Sequence, residues 1–288
     1  MLLPREEAKI SVFDSAVQGG DAVWEGLRVY KGRVADLDNH LIRLQNSAKA
    51  LAFKSIPSSD DIRKAIFLTL EANGMWDETH IRLTLTRGEK ITSGMNPKLN
   101  QLGCTLIVLA EWKPPVYSNS GIKVITSSIR RNSPQHLDSK IHHNNLLNNI
   151  LATIEANTAK VDSAVMLDVN GFISETNDTN IFLVRDNQIL TPTTDSCLPG
   201  LTRKMILELA TQEGITTHEK NLSNTDLYSA DEVFTSGTMG EITPILEADG
   251  RKIGDGKAGA MTKRIQKLHA KYAYSNGEPV PFKKPQKR

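Results

Sequence analysis

The stretch between Val165 and Thr243 contains the residues best suited to chemistry. It holds a carboxylate, Glu175, and two glycine-containing segments, Leu198-Pro-Gly-Leu-Thr-Arg203 and Ser236-Gly-Thr-Met-Gly-Glu241. The first segment leads into an amphipathic pattern, and the second joins two predicted strands. Backbone amides in such turns and at a helix N-terminus bind anions. The stretch therefore predicts two anion-binding turns with a carboxylate between them.

One cofactor would use all of these features together with a lysine. Lys140 stands just before a predicted helix, in Asp138-Ser-Lys-Ile-His-His-Asn144. Pyridoxal 5'-phosphate (PLP) needs a lysine for a Schiff base, a carboxylate at its pyridine nitrogen and donors for its phosphate. By pattern alone, Lys140 could also be an exposed lysine, Glu175 a turn carboxylate and Thr202 a helix cap. The combination favours PLP.

Composition sets limits on the remaining classes. A length of 288 residues allows about two domains. The net charge of +2 gives no electrostatic reason to expect nucleic acid, and the basic run at 283–288 predicts a solvated tail. Cys104 and Cys197 lack metal-ligand spacing, so we expect no metal and a reduced, cytoplasmic protein. No apolar run reaches the roughly 18 residues of a membrane span, so no membrane partner is expected.

The elements before residue 113 predict a small α/β domain. One predicted helix is capped by Asn39 and has the stripe Leu41, Leu44, Ala48 and Leu51, which leaves Arg43, His40 and Ser47 on a solvated face. A second helix follows Ser59 and stops at Gly74. The loop at 87–97 is long, which is typical of functional loops. Strands are predicted at residues 10–13, 21–30, 33–35, 81–86 and 105–110.

Residues 113–121 form the best linker in the sequence because they are rich in proline, serine and glycine. They predict a small N-terminal domain at 1–112 and a larger C-terminal domain at 122–288. Asn170-Gly171 predicts a two-residue hairpin turn in which both residues have positive φ. A helix at 145–158 would bury Leu146, Leu147, Ile150, Leu151 and Ile154. Further strands are predicted at 123–127, 165–167, 172–174, 181–184, 232–236, 242–246 and 252–253, and further helices at 202–213 and 263–272.

Several separated stretches resemble class IV (fold type IV) PLP-dependent aminotransferases, most closely the branched-chain amino acid aminotransferases. The stretches are Gly20-Asp-Ala-Val-Trp-Glu-Gly-Leu-Arg28, His40-Leu-Ile-Arg-Leu44, Lys140 and Ser236-Gly-Thr-Met-Gly-Glu-Ile-Thr-Pro244. No single motif decides the matter, but their order and spacing are specific. The resemblance implies a two-domain α/β (α+β) fold, with a smaller N-terminal α/β domain and a larger C-terminal mixed-sheet domain.

The resemblance also implies a role for each matching residue. Lys140 would form the Schiff base and exchange protons with the substrate. Glu175 would keep the pyridine nitrogen protonated, which makes the ring an electron sink. Arg43 would meet the phosphate with its guanidinium fork, and Asn180 would position the ring. The rest of the phosphate site would come from Leu201, Thr202, Thr238 and Met239.

Substrate contacts follow from the same resemblance. Arg82, in His80-Ile-Arg-Leu83, and the loop Gly94-Met-Asn-Pro97 resemble pocket elements of branched-chain enzymes. Strand alternation places Arg82 on the face opposite Ile81 and Leu83. The apolar wall would suit an aliphatic side chain. The implied substrate-binding residues are Trp24, Gly26, Arg82, Met95 and Thr238.

Three departures from the family pattern bear on specificity. Where branched-chain enzymes usually have tyrosines, this chain has Gly19, His80 and Asn145. We expect amino transfer from a branched-chain L-amino acid to 2-oxoglutarate, since the 87–99 loop lacks the Arg-x-His pair of well-studied D-specific relatives. A D-amino-acid transaminase, an aminodeoxychorismate-type lyase and a cofactor-free binding protein are the alternatives. The resemblance also implies a homodimer whose partner subunit completes the substrate pocket.

Overall fold

The computed structural model describes residues 1–284. Within these residues there are seven α-helices, and a short 3-10 helix spans Pro97–Leu99. None of the described helices is long and apolar enough to cross a lipid bilayer. The predicted solvated tail lies partly outside the described residues, at 285–288. The helices are α1 (Ser15–Gly19), α2 (Leu37–Ala50), α3 (Ser59–Asn73), α4 (Leu147–Ala159), α5 (Leu201–Gln212), α6 (Asn224–Tyr228) and α7 (Ala260–Ser275).

The strands of the described residues form two sheets. One has five strands in the order β14-β2-β1-β3-β4, and the other has nine, in the order β10-β9-β8-β11-β12-β5-β6-β7 with β13 beside β12. The strands are β1 (Ala22–Tyr30), β2 (Arg33–Val34), β3 (Thr79–Thr86), β4 (Thr105–Trp112), β5 (Ile122–Thr126), β6 (Ser163–Leu167), β7 (Ile173–Thr176), β8 (Asn180–Arg185), β9 (Gln188–Thr191), β10 (Thr217–Glu219), β11 (Glu232–Gly237), β12 (Glu241–Ala248), β13 (Arg251–Lys252) and β14 (Glu278–Pro279).

The first compact unit contains Met1–Pro114, Ile141–Asn145 and residues 276–284. Its five-stranded sheet is antiparallel, and one face packs on α2 and α3. The alternation of β3 puts Ile81, Leu83 and Leu85 in this core and leaves Arg82 on the opposite face, as predicted.

Three expectations for this unit are wrong. Residues 10–13 are not a strand but an irregular segment before α1. Asn39 does not cap α2, because the helix begins at Leu37 with Asp36 at the N-cap. His40 and Ser47 are also buried rather than solvated. The physical reason is that residues 141–145 cover this side of α2, where the amide of His142 donates to Ser47 Oγ at 3.1 Å.

The second compact unit contains Pro115–Lys140 and Leu146–Ser275. Its sheet is mixed, since β5 runs parallel to both β6 and β12, whereas β6–β7, β8–β9 and β11–β12 are antiparallel. Phe182 and Phe234 stack at 5.0 Å within the core that α5 and α7 cover. The consequence for function is that β7 and β8 present Glu175 and Asn180 from one rigid sheet.

The hairpin turn at Asn170-Gly171 does not have the predicted two-residue geometry. In the Asn170-Gly171 turn only Gly171 has positive φ. The amide of Asp168 donates to Phe172 O across a three-residue loop, and a bulge lies next to it. This is the longer hairpin type, in which glycine takes the left-handed position after a normal turn. The two-residue turn with positive φ at both positions lies instead at Asp186 and Asn187.

The exposure of helix α4 also differs from the prediction. Its apolar stripe was predicted to be buried, but Leu147, Ile150, Leu151 and Ile154 are 48–66% exposed. The helix uses its small residues, Ala152 and Ala156, to approach Ala164 and Met166 of the sheet. A four-residue apolar stripe at helical spacing therefore faces away from the core of this unit.

Candidate active site

Glu175 is the centre of a buried polar cluster in the second unit. Glu175 is 6% exposed. Its Oε1 accepts a 2.6 Å hydrogen bond from Nε of Arg131, which is equally buried. Its Oε2 lies 3.4 Å from Nδ2 of Asn180. Burial raises the pKa of Glu175, and the adjacent Arg131 guanidinium and Leu198 amide offset only part of that effect. Arg131 thus anchors one carboxylate oxygen, while the contact of the other with Asn180 is long.

The segment 195–201 brings the remaining candidates to this carboxylate. Lys140 Nζ lies 3.3 Å from the carbonyl oxygen of Asp195 and 3.2 Å from Oδ1 of Asp138. Further along, Asn180 Nδ2 donates to Leu198 O at 2.9 Å. The segment then becomes the first turn of α5 at Leu201. Lys140, Asn180 and the start of α5 are therefore held by one continuous piece of chain.

Gly200 allows the start of α5 to lie very close to Asn180. It is the N-cap of α5 and has an ordinary backbone conformation, with φ of -63°. A Cβ at this position would stand 2.0 Å from Oδ1 of Asn180, which is a severe overlap. Any larger residue would displace either Asn180 or the helix start. The helix N-terminus, with the Leu201 and Thr202 amides, is thereby brought against the residue that also contacts Glu175.

Several of these charged groups act on the thiol of Cys197. This thiol is buried, and its pKa is raised by burial and by Glu175, while Arg203, Arg131 and Lys140 act in the opposite direction. Glu175, Arg131 and Lys140 thus all lie within electrostatic range of one buried sulfur atom. The second unit therefore brings together Lys140, Glu175, Asn180, Leu201 and Thr202, which the sequence placed as many as 62 positions apart.

Thr238 and Met239 occupy the turn between β11 and β12. Ser236, at the end of β11, is 1% exposed, and its Oγ has no hydrogen-bond partner among residues 1–284. A buried hydroxyl without a partner is costly unless a ligand satisfies it. The turn thus has both the backbone amides and a hydroxyl donor that an anion could use.

Arg43 lies in the first unit, on α2, and is fixed by a buried carboxylate. Its Nε and Nη2 donate to Glu25 at 2.8 and 2.7 Å, and Nδ1 of His40 lies 2.7 Å from the same carboxylate. Nδ1 of His142 is 3.1 Å from Oε1 of Glu25, although the angle is poor for a hydrogen bond. Glu25 is fully buried. Arg43 is therefore a pre-positioned guanidinium, not a residue of a solvated helix face.

Trp24, Gly26 and Arg82 share the other face of the β1–β3 pair. The Arg82 guanidinium lies 3.4 Å from the centroid of the Trp24 ring and donates to Asn144 Oδ1 at 2.7 Å. Burial lowers the pKa of Arg82 to about 10. Gly26 is the cross-strand partner of Arg82. Met95, in contrast, is 96% exposed in its loop, and no described contact joins it to this group.

The three positions that depart from the tyrosine pattern also lie in the first unit. His80 is 8% exposed, and neither ring nitrogen has a partner within the described residues. Burial, together with Lys113, Arg28 and Arg82, lowers the pKa of His80 to about 4. Asn145 packs against Gly20, and Gly19 ends α1. His80 therefore adds a neutral imidazole to a face that already carries two arginines.

Some polar residues of these clusters were not singled out from the sequence. Arg131 has no local signal, because its partner Glu175 is 44 positions away. Glu25 did carry a signal, since it occupies an inward position between Val23 and Leu27 on an otherwise apolar strand face. An acidic residue in such a register usually has a buried cation as its partner.

Comparison with known proteins places this arrangement in a family. Residues 22–248 match the family model for amino-transferase class IV. The chain is 59% identical to branched-chain-amino-acid aminotransferase-like protein 2 of Arabidopsis thaliana, over 97% of this chain and 50% of that protein. It is 36% identical to the branched-chain-amino-acid aminotransferase of Escherichia coli strain K12, over 91% of this chain and 87% of that one.

A solved structure gives the same result for the fold. A T.th. branched-chain amino acid aminotransferase, complexed with N-(5'-phosphopyridoxyl)-L-glutamate, superposes with a TM-score of 0.88 at 33% identity, covering 94% of this chain and 91% of that chain. The chain spans about half the length of the two Arabidopsis thaliana relatives that it matches. On the strength of the matched family model and these relatives, the chain belongs to the class IV aminotransferases.

Proposed function

We propose that this chain is a PLP-dependent transaminase that moves an amino group from a branched-chain L-amino acid to 2-oxoglutarate, with Lys140 as the Schiff-base residue. The observation that carries the proposal is the cluster in the second unit. There, segment 195–201 connects Lys140, the buried carboxylate of Glu175 and the N-terminus of α5. These are a nucleophilic amine, a pyridine-nitrogen partner and an anion site.

The residues present fit the cofactor. The anchored carboxylate of Glu175 and the buried hydroxyl of Ser236, which has no partner among the described residues, are groups that a bound ligand could use. Gly200 lets the start of α5 approach Asn180 and so brings the helix N-terminus close to them. Glu175 and Asn180 would hold the ring. Leu201, Thr202, Thr238, Met239 and Arg43 would hold the phosphate. When bound, PLP supplies an electron sink for the carbanion at the substrate α-carbon.

The side chains of the protein would supply positioning and proton transfer. Nζ of Lys140 would act as the base that takes the proton from the substrate α-carbon. Arg131 would keep Glu175 ionised despite its burial, so that the carboxylate can hold a proton on the pyridine nitrogen. Glu25 would fix the direction of the Arg43 guanidinium.

The substrate assignment rests on the first unit and on the relatives. Trp24, Gly26 and Arg82 offer an aromatic wall with a cation beside it, which suits an aliphatic side chain or a second carboxylate. Thr238 and the exposed Met95 complete the proposed substrate contacts. The complex of the T.th. enzyme contains an L-glutamate adduct, which supports the L configuration. We also propose that 1–112 and 122–288 act as domains joined by a linker at 113–121.

Borohydride reduction of the PLP-loaded protein tests the proposal directly. It should attach the cofactor to Lys140, as detected by peptide mass spectrometry, and Lys140→Ala should abolish both labelling and transamination. Lys123→Ala is the matched control, since Lys123 is also a part-exposed lysine with a carboxylate 3.0 Å away, on Glu247. Label on any other lysine would overturn the assignment. A faster half-reaction with D-alanine than with L-leucine would instead support a D-amino-acid transaminase.

We further propose a homodimer in the cytoplasm. The apolar stripe of α4 is the surface that favours association, because four adjacent large side chains on one helix face are exposed. Both cysteines are free thiols, in keeping with a reducing compartment. In sedimentation equilibrium the parent should be a dimer and Leu151→Glu a monomer. Leu68→Glu, an equally exposed leucine on α3, should remain dimeric. A monomeric parent would refute this part.

A further inference from the structure

The turn that carries Thr238 and Met239 is held from outside by the linker. Val116 N–H donates to Met239 O at 2.8 Å, and Thr243 Oγ1 donates to Gly240 O at 2.7 Å. The ring of Tyr117 lies close enough that a Cβ on Gly240 would be 3.4 Å from it. The conformation of this turn therefore depends on residues 116 and 117 as well as on its own strands.

Tyr117 also reaches the other half of the site. Its hydroxyl donates to Oδ2 of Asp178 at 2.7 Å. Burial and the neighbouring Asp178 carboxylate raise the pKa of Tyr117, so this hydroxyl stays protonated and remains a donor. Oδ1 of Asp178 accepts from Thr176 Oγ1 at 3.2 Å. One tyrosine thus contacts both the β11–β12 turn and the β7–β8 turn.

The β7–β8 turn is short and tightly bonded. Thr176 Oγ1 accepts the amide of Thr179 at 2.9 Å, and Thr176 N–H donates to Thr179 O at 2.8 Å. The turn connects Glu175 directly to Asn180, the two proposed ring contacts. On its other side, the methyl group of Thr179 packs at Gly237, where an added Cβ would be 3.0 Å away. Displacing Asp178 would therefore move the ring contacts relative to the phosphate turn.

We propose that Tyr117 and Asp178 are positioning residues that set the distance between the ring-binding residues, Glu175 and Asn180, and the phosphate-binding turn at 237–240. The inference rests on the proposed function, because it takes PLP as the ligand. The ring and phosphate of PLP are separated by a short covalent link, so both half-sites are satisfied only at one spacing. Pre-organised spacing contributes to affinity because the protein does not reorganise on binding.

The spacing hypothesis predicts a difference between two ligands. Pyridoxal has the ring and aldehyde of PLP but lacks the phosphate, so it uses only the ring half-site. Dissociation constants for both compounds would be measured by absorbance or fluorescence titration of cofactor-free protein. Tyr117→Phe removes one hydroxyl and should weaken PLP binding about five-fold, with little change for pyridoxal. Asp178→Asn should act in the same direction, and the double variant should show less than the sum of both effects.

The chain offers a matched control in Tyr228. Its hydroxyl donates to Asp249 at 2.7 Å, which is the same kind of pair at the same distance elsewhere in the second unit. Tyr228→Phe should leave the ratio of the two dissociation constants at the parental value. Equal weakening of PLP and pyridoxal by Tyr117→Phe would show a merely structural role and overturn the inference. A parent that binds neither compound would overturn the proposed function itself.

Discussion

Two buried carboxylates, Glu25 in the first unit and Glu175 in the second, are each paired with an arginine but differ in their electrostatics. Burial alone would raise the pKa of both. At Glu25, the neighbouring His142 and Arg43, together with the hydrogen bonds from Arg43, reverse that effect and hold the pKa well below its usual range. At Glu175, Arg131 offsets only part of it, and the pKa stays raised.

Short contacts and nearby charges explain the difference. The carboxylate of Glu25 accepts two hydrogen bonds from Arg43 and lies 2.7 Å from His40. Glu175 has one short hydrogen bond, from Arg131, as well as the Leu198 amide and a 3.4 Å contact with Asn180, while the Asp178 carboxylate raises its pKa. Because the pKa of His142 is itself lowered to about 4, Arg43 is the counter-ion of Glu25 near neutral pH. Glu25 is thus better compensated within the fold than Glu175. A carboxylate of the second kind is the better indicator of a functional site.

The largest expected effect is that of Arg43→Met. It leaves Glu25 buried without its permanent cation, which should lower the free energy of unfolding by about 3 to 5 kcal/mol. PLP affinity should fall by about one to two orders of magnitude as well, because a charge-assisted phosphate contact is lost. Urea unfolding of the cofactor-free protein and a PLP titration measure the two effects.

Arg63→Met is the control for this experiment. Arg63 pairs with Asp38, Asp60 and Glu278, whose side chains are 75%, 79% and 32% exposed, so the variant should lose only about 1 to 2 kcal/mol. Equal losses in the two variants would remove the distinction between the Glu25 cluster and a surface ion pair.

Glu25→Gln and Glu175→Gln should respond to pH in opposite ways. The lowered pKa of Glu25 means that its ionised form stabilises the parent above about pH 4.5, the unfolded value, and that this is lost as pH falls through the folded pKa. Glu25→Gln should therefore be less stable than the parent at pH 7, by about 2 kcal/mol, and approach it in acid.

Because the pKa of Glu175 is raised, its contribution to the free energy of unfolding changes with pH in the opposite direction. Ionisation then costs stability as pH rises from about 4.5 through the folded pKa. In urea unfolding of the cofactor-free protein, the free energy of unfolding of Glu175→Gln should rise relative to that of the parent between pH 4 and pH 7. If both variants lose stability in parallel across this range, Glu175 is as well compensated as Glu25 and the contrast fails.

Local patterns were enough to predict much of the fold. The amphipathic stripe of α2 and the alternation in β3 depend on near neighbours in sequence, and both are present. The hairpin at Asn170-Gly171 was predicted with the wrong turn, because Oδ1 of Asp168 accepts the amides of Asn170 and Phe172 and favours the longer loop.

Tertiary contacts decided what the patterns could not. The solvated face predicted for α2 is covered by residues 141–145, about 100 positions later in the chain. The exposure of the α4 stripe follows from close packing of Ala152 and Ala156 on the sheet, which hydrophobic periodicity alone does not distinguish from packing through leucines. Motif resemblance predicts roles for Lys140 and Glu175, but it does not point to Arg131 or Cys197, whose placement depends on long-range contacts.

The smallest effect near neutral pH is expected for His142→Ala, and its pH dependence sharpens the comparison of the two carboxylates. His142 lies against Trp24, with ring centroids 4.2 Å apart, and burial lowers its pKa from 6.5 to about 4. At pH 7.5 the ring is neutral, so the substitution should cost only about 1 kcal/mol of packing. As pH falls from 6.5 to 4, the unfolded chain takes up a proton that the folded chain resists, which costs the parent on the order of 3 kcal/mol. His142→Ala has no imidazole to protonate at this position, so it should become more stable than the parent near pH 4.5.

His218→Ala, at an exposed imidazole on β10, is the control for the loss of a histidine. A stability gap between His142→Ala and the parent that is constant from pH 7.5 to 4.5 would mean that the pKa of His142 is the same in the folded and the unfolded chain. His142 would then become a second cation beside Glu25 below about pH 6.5, and Arg43 would not be its only counter-ion in that range.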